Sequence, residues 1–238
     1  MAKQESLLPR ILCLHGAGSN GAIFRVQGRK IFSALGKDFQ FVFIEAPFLS
    51  TPGPGMELFA DSGPFYRWQC DMGASLSFDI TTDEVNAERD KVRALLEDHL
   101  LKKDDGQALF VGIMAFSQGA RVATGLLMHL AQMRRRGRTD DFYDIKFAII
   151  NNATYPPLYL NDEMTAAPER VLIPTLHIHG SNDPWRPESE HMLAEFFDLS
   201  CAKVAGFTGK HQLPLAKDDV DEVVSAIRRL SANATEDI

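Results

Sequence analysis

Residues 110–121 constrain this chain more than any other segment. The apolar run Phe110-Val111-Gly112-Ile113-Met114-Ala115-Phe116 ends at Ser117, and Gln118 and the small residues Gly119 and Ala120 follow. Ala120, Ala123, Leu126, Leu127 and Leu130 then recur at the spacing of one helix face. A buried strand, a sharp turn and a helix are expected in succession, with the serine at the turn. Such a turn lifts a hydroxyl above a sheet and aims the unpaired N–H groups of a helix N-terminus at whatever reacts there. The pattern is G-x-S-x-G with Ala115 in place of the first glycine. Alanine is the smallest departure, so the turn should survive with slightly more crowding beside the strand.

The rest of the chain alternates in the same way. Ile11-Leu12-Cys13-Leu14 reads as a buried strand ending at His15-Gly16-Ala17-Gly18. Ser19 or Asn20 is placed to cap a following helix that carries Phe24, Ile31, Phe32 and Leu35. A second strand is expected over residues 39–44. Residues 47–80 break the rhythm with prolines and glycines among the aromatics Phe48, Phe59, Phe65, Tyr66, Trp68 and Phe78. They read as a long irregular, lid-like insertion, and loops of that length are usually functional. Its aromatics, with Phe65, Tyr66 and Trp68 foremost, read as core of the insertion and as the wall of an acyl pocket.

A helix capped by Thr82 or Asp83 follows, with Val85, Val92, Leu95, Leu96 and Leu100 on one face. Beyond the serine turn and its helix come a polar linker (134–144), a strand (145–150), a loop-rich stretch (151–170) and a strand (174–179). A helix over about 188–197, a short strand over 201–204, a loop containing His211 and a last helix carrying Val220, Val223, Val224, Ile227 and Leu230 complete the chain. Residues 232–238 read as a frayed tail. Strands alternating with helices predict one α/β domain over residues 1–238, a doubly wound and mostly parallel sheet, with ligands bound at the carboxyl ends of its strands.

Composition narrows the function classes. The 238 residues carry a formal net charge of −7, which disfavours nucleic acid as a partner because phosphate binding needs a basic surface. No apolar stretch is long enough to span a membrane, and the first ten residues have no apolar signal segment, so a cytoplasmic protein is expected. Cys13, Cys70 and Cys201 are scattered, with neither disulfide nor metal spacing. Asn152-Ala153-Thr154 and Asn233-Ala234-Thr235 match a glycosylation pattern and read as coincidence in such a chain.

A serine hydroxyl needs a base within hydrogen-bond reach, and the base needs an orienting carboxylate. Where a G-x-S-x-G turn carries the serine, the chain order is serine, acid, histidine. Ser117, Asp183 and His211 follow it, each just beyond a predicted strand. Asp162 and Asp198 are rival acids that follow no strong strand. His177 and His179 lie within a strand, His99, His129 and His191 within helices, and His15 reads as a brace for its loop. The expected roles are Ser117 as nucleophile, His211 as general base and then acid, and Asp183 as orienting carboxylate. The backbone N–H groups of Gln118 and Ala17 are the expected oxyanion donors, each worth about 3 kcal/mol. His177-x-His179 lacks further ligands at metal spacing, so neither a metal nor another cofactor is expected. The run Arg134-Arg135-Arg136-Gly137-Arg138 reads as a solvated loop, with docking of an acidic partner as the sharper reading.

Leu12-Cys13-Leu14-His15-Gly16, residues 38–47, Phe116-Ser117-Gln118-Gly119-Ala120, His179-Gly180-Ser181-Asn182-Asp183-Pro184 and Gly209-Lys210-His211 occur in that order. Together they resemble the fungal serine hydrolase (FSH) family of α/β-hydrolases over roughly residues 9–230. The resemblance implies an α/β-hydrolase fold and an acyl thioester or ester substrate. It also implies a thioesterase that releases or trims a polyketide chain presented by a polyketide synthase acyl carrier protein. A glycine is usual in the family where this chain has Ala115. An oxoester-preferring carboxylesterase, a cyclase using the same three residues and a non-catalytic scaffold remain open on the sequence.

Overall fold

In a computed structural model, which describes residues 7–70, 82–101, 108–137, 143–166 and 168–236, six parallel strands form one sheet. The strands are β1 (Arg10–Leu14), β2 (Gln40–Ile44), β5 (Phe110–Phe116), β6 (Tyr143–Asn151), β7 (Thr175–Gly180) and β8 (Ala202–Phe207), in the spatial order β2-β1-β5-β6-β7-β8. The chain leaves β1 toward one edge and returns to β5 on its other side. The strand order therefore reverses between β1 and β5, the place where α/β sheets open a crevice at their carboxyl ends.

Period-two alternation sorts the side chains onto two faces. Leu12, Leu14, Ile113 and Ala115 pack against α3 (Thr82–Leu101), α4 (Gln118–Arg135) and α6 (Arg186–Phe196). Ile11, Cys13, Met114 and Phe116 pack on the opposite face against α1 (Gly21–Gln27), α2 (Arg29–Leu35) and α7 (Lys217–Glu236). β5 and its neighbours are thus covered on both sides, which is why they read as continuous apolar runs.

Four expectations need correction. The single helix after β1 is two, meeting at Gly28, where the α1 carbonyls of Phe24 and Val26 accept from the Gly28 N–H. The 47–80 insertion is not wholly irregular. Its strands β3 (Phe48–Ser50) and β4 (Phe65–Arg67) pair antiparallel, so their backbone groups satisfy one another. Loop 151–170 holds a short helix, α5 (Asp162–Ala166). Finally, α7 runs to Glu236 with Ala234 buried, so residues 232–236 are helix rather than tail, because the apolar stripe continues one turn beyond Leu230. Phe78 and Arg138 lie outside the described residues.

Candidate active site

The serine turn is built by a backbone that few residues adopt. Ser117 has φ 54° and ψ −122°, immediately after β5 and immediately before α4. Such a conformation costs of order 1–3 kcal/mol and persists only where its surroundings hold it. Here the Ser117 N–H donates to the Asn151 carbonyl (3.0 Å), and the Ser117 carbonyl accepts from the Ala120 N–H (2.9 Å). The start of α4 also lies hard against the end of β1, since a Cβ on Gly119 would sit 2.4 Å from the Leu14 carbonyl oxygen. Only glycine fits that approach.

The structure brings Ser117, His211 and Asp183 into one chain of hydrogen bonds. Ser117 Oγ lies 2.8 Å from His211 Nε2, and His211 Nδ1 lies 2.8 Å from Asp183 Oδ2. A carboxylate only accepts, so Nδ1 carries the proton and Nε2 is left to accept the serine hydroxyl proton. Asp183 Oδ1 accepts from the Trp185 N–H (2.9 Å), so the carboxylate is held at both oxygens. Asp183 is therefore both an Asx-turn residue and the acid behind the histidine. The His211 ring stands between Phe116 and Trp185, with centroids 4.9 and 4.6 Å away. That aromatic packing limits its rotation.

A cleft of about 710 Å³ opens over Ser117 and His211 at the sheet's switch point. Gly16, Ala17 and Gln118 line it beside the serine. The Gln118 N–H heads α4, where helix N–H groups lack intrahelical partners. The Gln118 side chain has a separate task. Its Oε1 accepts from the Trp68 N–H (2.8 Å), and its Nε2 donates to the Gln69 carbonyl (3.0 Å). The residue after the serine thus clamps the segment that follows β4.

The aromatics expected to line the acyl pocket sit elsewhere. Trp68 is fully buried, and its indole N–H donates to the His15 carbonyl (2.7 Å). Phe65 packs with Ile23 and Met56. Tyr66 bonds through its backbone to Ser19 and Gly18, which fastens β4 to the loop after β1. Phe65 fills a small cluster between the insertion and α1, while Trp68 joins the main core with Tyr66 packed against it, so the three anchor the insertion to the domain rather than wall the cleft. The cleft wall comes instead from Met56, Val85, Tyr155, Pro156, Leu158 and Trp185. The adjacency of Trp185 to Asp183, and of Tyr155 and Pro156 to the carboxyl end of β6, is the sequence signal that could have found them.

The remaining candidates resolve as structure. His15 accepts the Ala46 N–H at Nε2 (3.1 Å) and reaches the Gly16 carbonyl with Nδ1 (2.8 Å). Burial lowers its pKa to about 4, and the neutral ring braces the loop. His177, lowered to about 3 by burial and then by His179, lies inside β7. Asn20 caps α1 by accepting from Ile23 N–H (2.8 Å), and its amide donates to the Ser62 and Pro64 carbonyls (2.9 Å each). In the basic run, Arg135 pairs with Glu169 (3.0 Å), Arg136 pairs with Glu163, and Arg134 donates to the Ile145 carbonyl (3.2 Å). Arg134 and Arg135 form the last turn of α4 and Arg136 caps it, so residues 134–136 close a helix rather than form the expected loop, and these contacts tie them to the rest of the chain.

Comparison with known proteins bears on the family and the fold. The family model described as serine hydrolase (FSH1) matches residues 6–223. Thioesterase FSL2 of Gibberella zeae is 39% identical, with 94% of this chain and 93% of that protein covered. Esterase FUS5 of Gibberella moniliformis is 35% identical, over 92% of this chain and 85% of its own. Among solved structures, esterase PE8 superposes with a TM-score of 0.61 at 22% identity, covering 94% of each chain, which supports the α/β-hydrolase fold.

Proposed function

The chain belongs to the serine hydrolase (FSH1) family, and on that premise we propose that it is a thioesterase using Ser117, His211 and Asp183 on an acyl chain held by a carrier protein. The observation that carries the reading is the relay from Ser117 Oγ through His211 to Asp183, 2.8 Å at each step, on the wall of the 710 Å³ cleft. His211 Nε2 takes the hydroxyl proton as Ser117 Oγ bonds to the acyl carbonyl carbon. The carbonyl oxygen gains the negative charge, facing the N–H groups of Gln118 and Ala17. As the tetrahedral species collapses, the C–S bond breaks and His211 returns the proton to the departing thiol. Water then repeats the sequence on the acyl-serine, losing its proton to His211 and freeing the acid and the serine. Asp183 stays ionised throughout and stabilises the imidazolium.

The 39% identity to a protein named as a thioesterase supports the thioester preference. The acyl chain is proposed to be of polyketide type, and the setting the cytoplasm. Among the described residues no helix is long and apolar enough to cross a membrane. The test offers one acyl chain as carrier-protein thioester, small-thiol thioester and oxoester, with Ser117→Ala in parallel. The variant is expected to lose turnover by several orders of magnitude. Preference for the carrier-bound thioester supports the reading. Faster oxoester turnover overturns it in favour of a carboxylesterase, and a Ser117-dependent product lacking the added water overturns it in favour of a cyclase.

A further inference from the structure

The carboxyl end of β6 and the residue after it bond to Ser117 and to the two loops that carry Asp183 and His211. The Asn151 carbonyl accepts the Ser117 N–H (3.0 Å). The next residue, Asn152, joins the other two loops. Its Oδ1 accepts the Gly180 N–H (2.9 Å), where β7 passes into the loop carrying Asp183. Its Nδ2 donates to the Gln212 carbonyl (2.7 Å), next to His211. Its backbone N–H donates to the Ile178 carbonyl (2.9 Å). Asn152 is 1% exposed and takes φ 41°, a left-handed conformation that asparagine accepts better than most side chains. With both amide atoms engaged inside the fold, it is no acceptor for a sugar, whatever its sequence context.

The acid and histidine loops also meet directly, through Ser181 N–H to the Phe207 carbonyl and Asn182 N–H to the Gly209 carbonyl, 2.9 Å each. Those bonds hold the two loops to each other. Asn152 holds both to the strand whose preceding residue fixes Ser117. We propose that Asn152 is a positioning residue, whose carboxamide sets His211 at hydrogen-bonding distance from Ser117 and Asp183 at hydrogen-bonding distance from His211. An amide is the group that can do this, because one partner is a donor and the other an acceptor.

The proposal rests on the catalytic reading of Ser117, His211 and Asp183. Its test measures kcat and KM on a small-thiol thioester for Asn152→Gly and Asn152→Asp, each normalised to the fraction of enzyme labelled at completion by a fluorophosphonate. Glycine keeps the φ and removes both side-chain bonds. Aspartate keeps the volume and the Gly180 bond but presents an oxygen to the Gln212 carbonyl. Both variants are expected to lose about 10- to 100-fold in kcat per labelled site, with KM within about threefold, since small misplacements of reacting groups carry costs of that size. A merely structural role would lower the labelled fraction and leave kcat per labelled site unchanged. Retention of kcat within about twofold by either variant overturns the proposal. Should glycine leave no labelled enzyme, the aspartate variant decides. Ser117→Ala separates the two levels: if it still turns over, the catalytic reading fails as well, whereas an inactive Ser117→Ala beside unaffected Asn152 variants refutes the positioning role alone.

Discussion

Replacing Gly119 with alanine tests how the serine turn is made. A Cβ there would lie 2.4 Å from the Leu14 carbonyl oxygen, 2.5 Å from that of His15 and 2.8 Å from the Leu14 carbonyl carbon. All three are backbone atoms of β1 and its following residue, so no side chain can swing aside. Reaching ordinary contact near 3.4 Å requires the first turn of α4 to retreat by roughly 1 Å. That retreat moves Ser117 and the Gln118 N–H away from the loop at Ala17, and a displacement of that size costs about 10² in rate. Stability gives a second, opposite-signed test. Were the site open, alanine would stabilise the helix by up to about 1 kcal/mol over glycine. Backbone overpacking instead costs about 1–3 kcal/mol, so the variant is expected to be less stable than the parent. Urea unfolding and kcat/KM on one thioester, measured side by side, decide the matter. A raised urea midpoint with kcat/KM within about threefold of the parent would refute the argument.

Ala115→Gly is expected to do little to catalysis, because the left-handed backbone is at Ser117 and Ala115 is an ordinary buried position of β5. Losing its methyl group and loosening the strand should cost about 1–2 kcal/mol, read by urea unfolding. A tenfold rise in kcat would instead mean that alanine strains the turn. Acid should destabilise the protein through His15 and His177, whose pKa values burial lowers to about 4 and about 3 from 6.5. Below pH 6.5 the unfolded chain binds protons that the folded one refuses. Stability therefore falls as pH drops from 6.5 toward 4, by roughly 2 kcal/mol per histidine at pH 5. An unchanged urea midpoint between pH 7.5 and pH 5 would contradict this origin.

The parallel sheet, the serine turn and the order Ser117, Asp183, His211 were readable because each rests on local chemistry. A strand covered on both faces must be apolar throughout, a sharp strand-to-helix turn needs small residues, and Asp183 and His211 each lie just beyond a strand. The break at Gly28 and the extension of α7 to Glu236 were harder, since helix ends depend on which neighbours pack there. Phe65, Tyr66 and Trp68 show the main limit. Composition marked them as apolar and close to the site, but whether an aromatic side chain faces a cleft or fills the loop behind it depends on how the loop folds back.

The sequence by itself determined the α/β architecture, the turn that exposes Ser117 and the residues able to complete a relay with it, because periodicity, turn chemistry and chain order are properties of short segments. Only the tertiary structure decided what surrounds that relay. The clamp of Gln118 on Trp68 and Gln69 joins residues about fifty positions apart, and the bonds from Asn152 to Gly180 and Gln212 span 28 and 60 positions. No local pattern encodes such pairs. They form because the winding of the sheet brings the carboxyl ends of β1, β5, β6 and β7 to one rim, where buried amide groups must find partners across the fold.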